Sequence, residues 1–177
     1  MQRNVNGKKA EQSKFRNQKV QGERLFEAVR DGDMDKLLYS IRQGADVNAR
    51  DADRQTPLAI ACRTGNAPLV KALLEKGANP NGKSGELLHT PLMEAAMQGR
   101  YNLIRVLIRH KAEINAVDVD CRTALMFAAM KGNPKTVMML LLAKPDVSLR
   151  DEQGKCALDH AKGEEAIQLI RARMAQG

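Results

Sequence analysis

The chain has 177 residues, 43% hydrophobic, 28% charged and only 3% aromatic, with 29 Lys and Arg against 21 Asp and Glu. That length and balance give one domain with a core of aliphatic residues, alanine and methionine, and exclude a fibrous or wholly disordered chain. No apolar run approaches the roughly 20 residues that cross a bilayer, no secretory h-region is present, and three cysteines at long, unequal spacings exclude a disulfide framework, so a cytoplasmic protein is expected, with the nucleus or a host cell's cytosol left open.

The first predicted element is a basic arm. Residues 1–24 hold seven Lys or Arg against two Glu, whereas residues 25–177 hold 22 against 19, so the arm carries most of the net charge of +8. With Val5, Phe15 and Val20 but no apolar stripe, residues 1–22 are expected to be mobile or loosely helical. Binding of nucleic acid or an anionic surface through this arm is the alternative reading of function, and a steep fall of affinity with salt would identify it.

From residue 23 onward the chain repeats itself. Leu25, Leu58, Leu92, Leu125 and Leu158 recur at steps of 33, 34, 33 and 33, and each is followed three residues later by an alanine: Ala28, Ala61, Ala95, Ala128 and Ala161. Gly32, Gly65, Gly99 and Gly132 lie seven residues past the leucines, and Leu73-Leu74, Leu107-Ile108 and Leu140-Leu141 follow eight or nine residues later. A period near 33 with this internal order predicts a short helix, a glycine turn, a second helix with apolar residues at i, i+3 and i+4, and a polar connection. Thr56-Pro57 and Thr90-Pro91 are helix starts, a hydroxyl cap followed by proline where its missing N–H costs nothing.

In chain order the units are an opening cap at 23–50, internal repeats at 51–83, 84–117 and 118–150, and a closing cap at 151–174, with 175–177 as a short tail. The opening cap presents Arg30, Asp31, Asp33, Asp35 and Lys36, as a terminal unit with one soluble face must. The register predicts a buried spine of Leu58, Leu92, Leu125, Leu73, Leu107 and Leu140. The third unit has one extra residue around Gly85 to His89, which predicts an irregular turn.

The stretch DADRQTPLAIACRTGNAPLVKALLEKGANPN, echoed by GADVNA, TPLMEAAMQG and TALMFAAMKG, resembles the ankyrin repeat, and the resemblance covers residues 23–174. It implies an all-α solenoid of stacked helix-turn-helix units with β-turn fingers. It also implies a non-catalytic protein–protein interaction module or adaptor, without cofactor and monomeric, that takes a partner protein in its concave groove and on its fingers. The histidine that usually follows TPL in this family is replaced by Ala59, Met93 and Met126, which puts its hydrogen bonding between repeats in question, and the finger glycine expected at Arg54 and Cys121 is missing. Asp51, Asp118 and Asp151 occupy the finger position where family members use Asp structurally, to tie down the turn through its own backbone.

Chemistry is sparse elsewhere. His89, His110 and His160 fall in different repeats without metal-ligand spacing, and no nucleophile elbow, phosphate loop or paired-carboxylate signature is present, so neither metal nor catalytic residues are expected. Cys62 replaces a core alanine and Cys156 a capping threonine; Cys121, on a finger, is the exposed thiol, with a redox role weighed against mere loss of order at that turn.

The candidate binding residues lie on one side. Met93, Met97, Met126 and Met130 occupy matched positions in adjacent repeats; Met97 and Met130 stand where Arg30 and Arg63 are polar, while Met93 and Met126 either fill the seam between repeats or border the groove. With Leu87, Leu88, Val117 and Val119 on the fingers they form the expected apolar centre. Arg63, Thr64, Lys83, Arg122, Lys131, Arg150 and Lys155, with Arg50, form a polar rim interspersed with Asp53, Asp120 and Glu152, which predicts electrostatic steering of an acidic partner protein without membrane insertion.

Overall fold

Residues 18–175, those described by the computed structural model, are filled by five pairs of helices. The inner helices are α1 (18–31), α3 (Pro57–Thr64), α5 (Pro91–Met97), α7 (Ala124–Lys131) and α9 (Ala157–His160). The outer helices are α2 (Met34–Arg42), α4 (Ala67–Glu75), α6 (Tyr101–Arg109), α8 (Pro134–Leu141) and α10 (Glu164–Met174). Like packs on like along the stack: α3 on α5, α5 on α7 and α7 on α9 inside, and α4 on α6, α6 on α8 and α8 on α10 outside.

The local causes are those the repeat predicts. Thr56, Thr90 and Thr123 cap α3, α5 and α7, each hydroxyl oxygen accepting from the backbone N–H three residues on, at 3.3 Å. Asp33, Asn66 and Asn133 do the same for α2, α4 and α8. Gly132 ends α7 with φ 68°, and a Cβ there would stand 2.8 Å from the Lys162 carbonyl oxygen, so no side chain fits. The predicted spine is buried throughout, Leu58, Leu92 and Leu125 at 2% exposure or less and Leu73, Leu107 and Leu140 at 0%. Cys62 is buried as read, and burial pushes its thiol far up, with the nearby Glu94 charge adding to the effect.

Two expectations are corrected. Residues 18–22, the end of the arm expected to be mobile or loosely helical, lie inside α1 with Gln21 buried, the helix that Leu25 anchors running through Gly22; residues 1–17 of the arm lie outside the described residues. The longer turn of the third unit is an ordered hairpin. Ser84 and His89 exchange both backbone hydrogen bonds, at 2.8 and 3.0 Å, and the extra residue is absorbed by Gly85 and Leu88 in the left-handed region.

Coupling between repeats, in question without the TPL histidine, comes from asparagines at the opposite end of each unit. The Asn48 side chain accepts from the Asn79 N–H at 2.7 Å and donates to the Gly77 carbonyl. One repeat later Asn81 makes the same pair of bonds to Glu113 and Lys111, and Asn115 accepts from Asp146. Each bond satisfies a backbone group of the next connection, so the polar loops are ordered by the stack and not by themselves.

Candidate functional site

The fingers are the loops 51–55, 84–89, 117–123 and 151–155. Three of them are built on one aspartate. Asp51 Oδ1 accepts from the N–H groups of Asp53 and Gln55, Asp118 Oδ1 from Asp120 and Arg122, and Asp151 Oδ1 from Gln153 and Lys155, all at 2.8 to 3.1 Å. The tight turn forces Arg54 and Cys121 to φ of 59° and 60°, left-handed values that cost a side-chain-bearing residue about 1–2 kcal/mol. Neighbouring fingers are then joined through their backbones: Gly85 N–H donates to Arg54 O, Val119 N–H to Leu87 O and Glu152 N–H to Asp120 O, at 3.1 to 3.2 Å. The result is a stiff row of turns standing over the inner helices.

On that row the predicted apolar residues divide. Leu87 and Val119 are 45% and 41% exposed, and the hydrogen bond from Val119 N–H to Leu87 O holds them side by side. Leu88 and Val117 are half-buried. Met97 and Met130 are half-buried at the ends of α5 and α7, with one side against the core. Met93 and Met126 are corrected out of the surface. At 0% and 1% exposure they fill the seam between repeats, and Met93 Sδ accepts from the Thr90 N–H, because their position on the helix faces the next inner helix.

The rim is also revised. Lys83 Nζ donates to Val117 O at 3.0 Å, Arg150 to Gly154 O at 2.6 Å and Arg50 to Arg54 O at 3.1 Å, so these cations staple finger carbonyls. Arg122 is held by Asp118 and Asp120 over the Phe127 ring. Thr64 donates to Ala61 O on its own helix. Arg63, Lys131 and Lys155 remain exposed; Arg63 reaches Gln55 at 3.4 Å, and the other two make no side-chain hydrogen bond or ion pair among the described residues. Arg122 is thus the rim cation closely paired with carboxylates, while Lys83, Arg50 and Arg150 are fixed in place by neutral carbonyls and keep their charge for steering.

A cluster that sequence reading missed sits beneath the third and fourth fingers. His89 lies between two buried carboxylates, its Nδ1 3.4 Å from Glu94 and its Nε2 3.5 Å from Asp118, with its ring edge-on to Phe127. Glu94 shares its helix position with Ile60 and Phe127 of the neighbouring internal repeats, and an acid between two apolar residues was the available signal, although the caps carry Glu27 and His160 there. Glu94 and His89, with Arg63, Gln55, Leu87, Met97 and Gln98, line a recess of about 410 Å³.

The other histidines are plainer. His110 is exposed at the end of α6, and His160 Nε2 lies 2.6 Å from Asp151 Oδ2. Burial works against the Asp151 charge, but the Lys155 N–H, the His160 ring and the Gln153 N–H outweigh it and hold the carboxyl below the ordinary carboxylate range. A lowered folded-state value means stability that is complete above about pH 4 and lost as pH falls through that value. Thermal melts between pH 6 and pH 3 are therefore expected to drop less for Asp151→Asn than for the native chain; equal drops would show that this carboxylate does not govern acid sensitivity.

Comparison with known proteins places the chain among repeat proteins. A family profile described as ankyrin repeats (3 copies) matches residues 25–118, and a single ankyrin-repeat profile matches residues 120–152. The chain is 33% identical over 110 residues to putative E3 ubiquitin-protein ligase XBAT35 of Arabidopsis thaliana, covering 61% of this chain and 24% of that protein. It is 37% identical over 95 residues to the transient receptor potential channel pyrexia of Drosophila melanogaster, covering 53% and 10%. With dauer abnormal formation protein 25 of Caenorhabditis elegans it shares 32% identity over 100 residues, covering 56% and 26%. The chain thus spans about a quarter or less of these relatives, and among its described residues no helix is long and apolar enough to cross a membrane.

Proposed function

This chain belongs to the ankyrin-repeat family, whose repeats are generally non-catalytic protein–protein interaction modules, and we propose that it holds a partner protein in the groove between its fingers and inner helices. Leu87 and Val119 form the exposed centre, Leu88, Val117, Met97 and Met130 back them, and Arg63, Lys131 and Lys155 stand at the rim. The observation that carries the reading is the exposed pair Leu87 and Val119. Neither side chain is needed to close its turn, which Asp118 and the Ser84–His89 bonds accomplish, yet both are large, apolar and held in register by a backbone bond.

A rigid row of turns also suits recognition, since little conformational entropy is lost when a partner docks. The ligase and channel functions in the relatives' names belong to proteins far longer than the matched segment, and none is carried over here. The test is affinity capture from extract with the native chain and with Leu87→Asp/Val119→Asp, followed by mass spectrometry. A protein retained by the first and lost by the second supports the groove; the same set of proteins on both chains removes it.

A further inference from the structure

The strangest residue of the groove is Glu94. Its column in the repeat carries Ile60 on one side and Phe127 on the other, both buried, so packing alone asks for an apolar side chain there. Glu94 is equally buried, at 5% exposure, yet its carboxylate accepts no hydrogen bond from any described residue. Among the described residues its nearest polar side chain is His89, whose Nδ1 lies 3.4 Å away and whose ring is shared with Asp118 at 3.5 Å. Asp118 needs no such help, because Arg122 and two backbone N–H groups already serve it. A carboxylate so nearly withdrawn from water, and open only toward the recess, gains from any donor that reaches it there.

The recess that Glu94 lines has the composition to admit such a donor. Asp53, Glu86 and Glu94 give it three carboxylates against the His89 ring and one guanidinium, Arg63, which lies exposed and among the described residues is hydrogen-bonded to Gln55. Gln55 and Gln98 add amide oxygens, and Leu87 and Met97 supply apolar wall. Its volume of about 410 Å³ is within the range of sites for small ligand groups. A charged head that meets a carboxylate, amide oxygens and a thioether wall together describes a guanidinium, which is planar, weakly hydrated and carries donors in a fork. A strongly hydrated lysine ammonium fits such walls less well.

We propose that this recess is a socket for an arginine side chain of the partner protein, with Glu94 as the buried acceptor. The proposal rests on the groove reading and gives it a chemistry: the partner presents a basic residue next to an apolar contact, in place of the acidic surface that the rim had suggested. The guanidinium closes the charge around Glu94, its stem lies against Met97 and Leu87, and the exposed pair Leu87 and Val119 takes the apolar neighbour. This is a division between an oriented polar anchor and an apolar centre, as in well-packed interfaces.

The test titrates the isotope-labelled full chain with N-acetyl-arginine methylamide, with its citrulline analogue, which is neutral and similar in shape, and with N-acetyl-glutamate methylamide. Amide shifts of Gln55, Leu87, Glu94, Met97 and Gln98 are expected to saturate in the millimolar range with the arginine compound alone. Glu94→Gln, which keeps the shape, is expected to weaken this at least tenfold. Glu94→Ile, which restores the residue type of position 60, is expected to do the same while melting no lower than the native chain. Equal response to the citrulline compound, response surviving both substitutions, or no saturable response overturns the proposal. A captured partner that Glu94→Gln binds normally but Leu87→Asp/Val119→Asp does not would remove the socket and keep the groove; one that both variants bind normally would remove the groove itself.

Discussion

Leu107→Ala is expected to cost about 2–5 kcal/mol and to split the unfolding transition in two. Leu107 lies at 0% exposure in α6, the outer helix of the middle unit, which packs on α4 before it and α8 behind it. The lost side chain leaves a cavity in a helix that packs on both neighbours, and in a stack whose units touch only their neighbours the weakened unit separates two halves that no longer unfold together. Leu92→Ala, in the inner helix of the same unit, is expected to behave alike. Calorimetry or urea unfolding reads both effects, and a cost below about 0.5 kcal/mol would mean that the leucine register has been misjudged.

Leu87→Asp combined with Val119→Asp is expected to weaken partner binding by more than about 1.5 kcal/mol, roughly tenfold or more, while shifting stability by less than about 0.5 kcal/mol. Leu87 and Val119 lie on the fingers outside the buried core, at 45% and 41% exposure, so their replacement takes little from the fold. Replacing Met97 and Met130 by serine is a poorer test of the same face. Each is half-buried against the core, and binding and stability are expected to fall together. Binding unchanged in the fingertip variant, measured by calorimetric titration with the captured partner, would move the contact surface elsewhere.

Much of this architecture is legible in the amino-acid order. The leucine comb recurs at 33 or 34 residues, and the threonine caps and the finger aspartates act within one repeat, through bonds that span three or four residues. Part of what escapes is made between repeats. Asn48 and Asn81 read as ordinary loop residues until the stack brings the next connection within 2.7 to 2.8 Å of them. Lys83, Arg122 and Arg150 look like a basic rim because sequence gives their charge but not the carbonyl or carboxylate that each folds back upon. Met93 and Met97 lie four apart on one helix, but the first faces the next inner helix and the second its open end, and only packing separates them. Glu94 was visible as the polar residue between Ile60 and Phe127 of the neighbouring internal repeats, although not its shared histidine.

The central claim is that the partner meets the fingers and not the backs of the outer helices, and site-specific photo-crosslinking tests it most directly. The photoreactive residue p-benzoylphenylalanine is placed singly at positions 87 and 119 on the fingers, and at 39 in α2 and 138 in α8, where Tyr39 and Met138 are 53% and 44% exposed. Covalent attachment of the captured partner from 87 and 119, with none from 39 and 138, is the predicted result. Attachment from 39 or 138 alone would contradict the account.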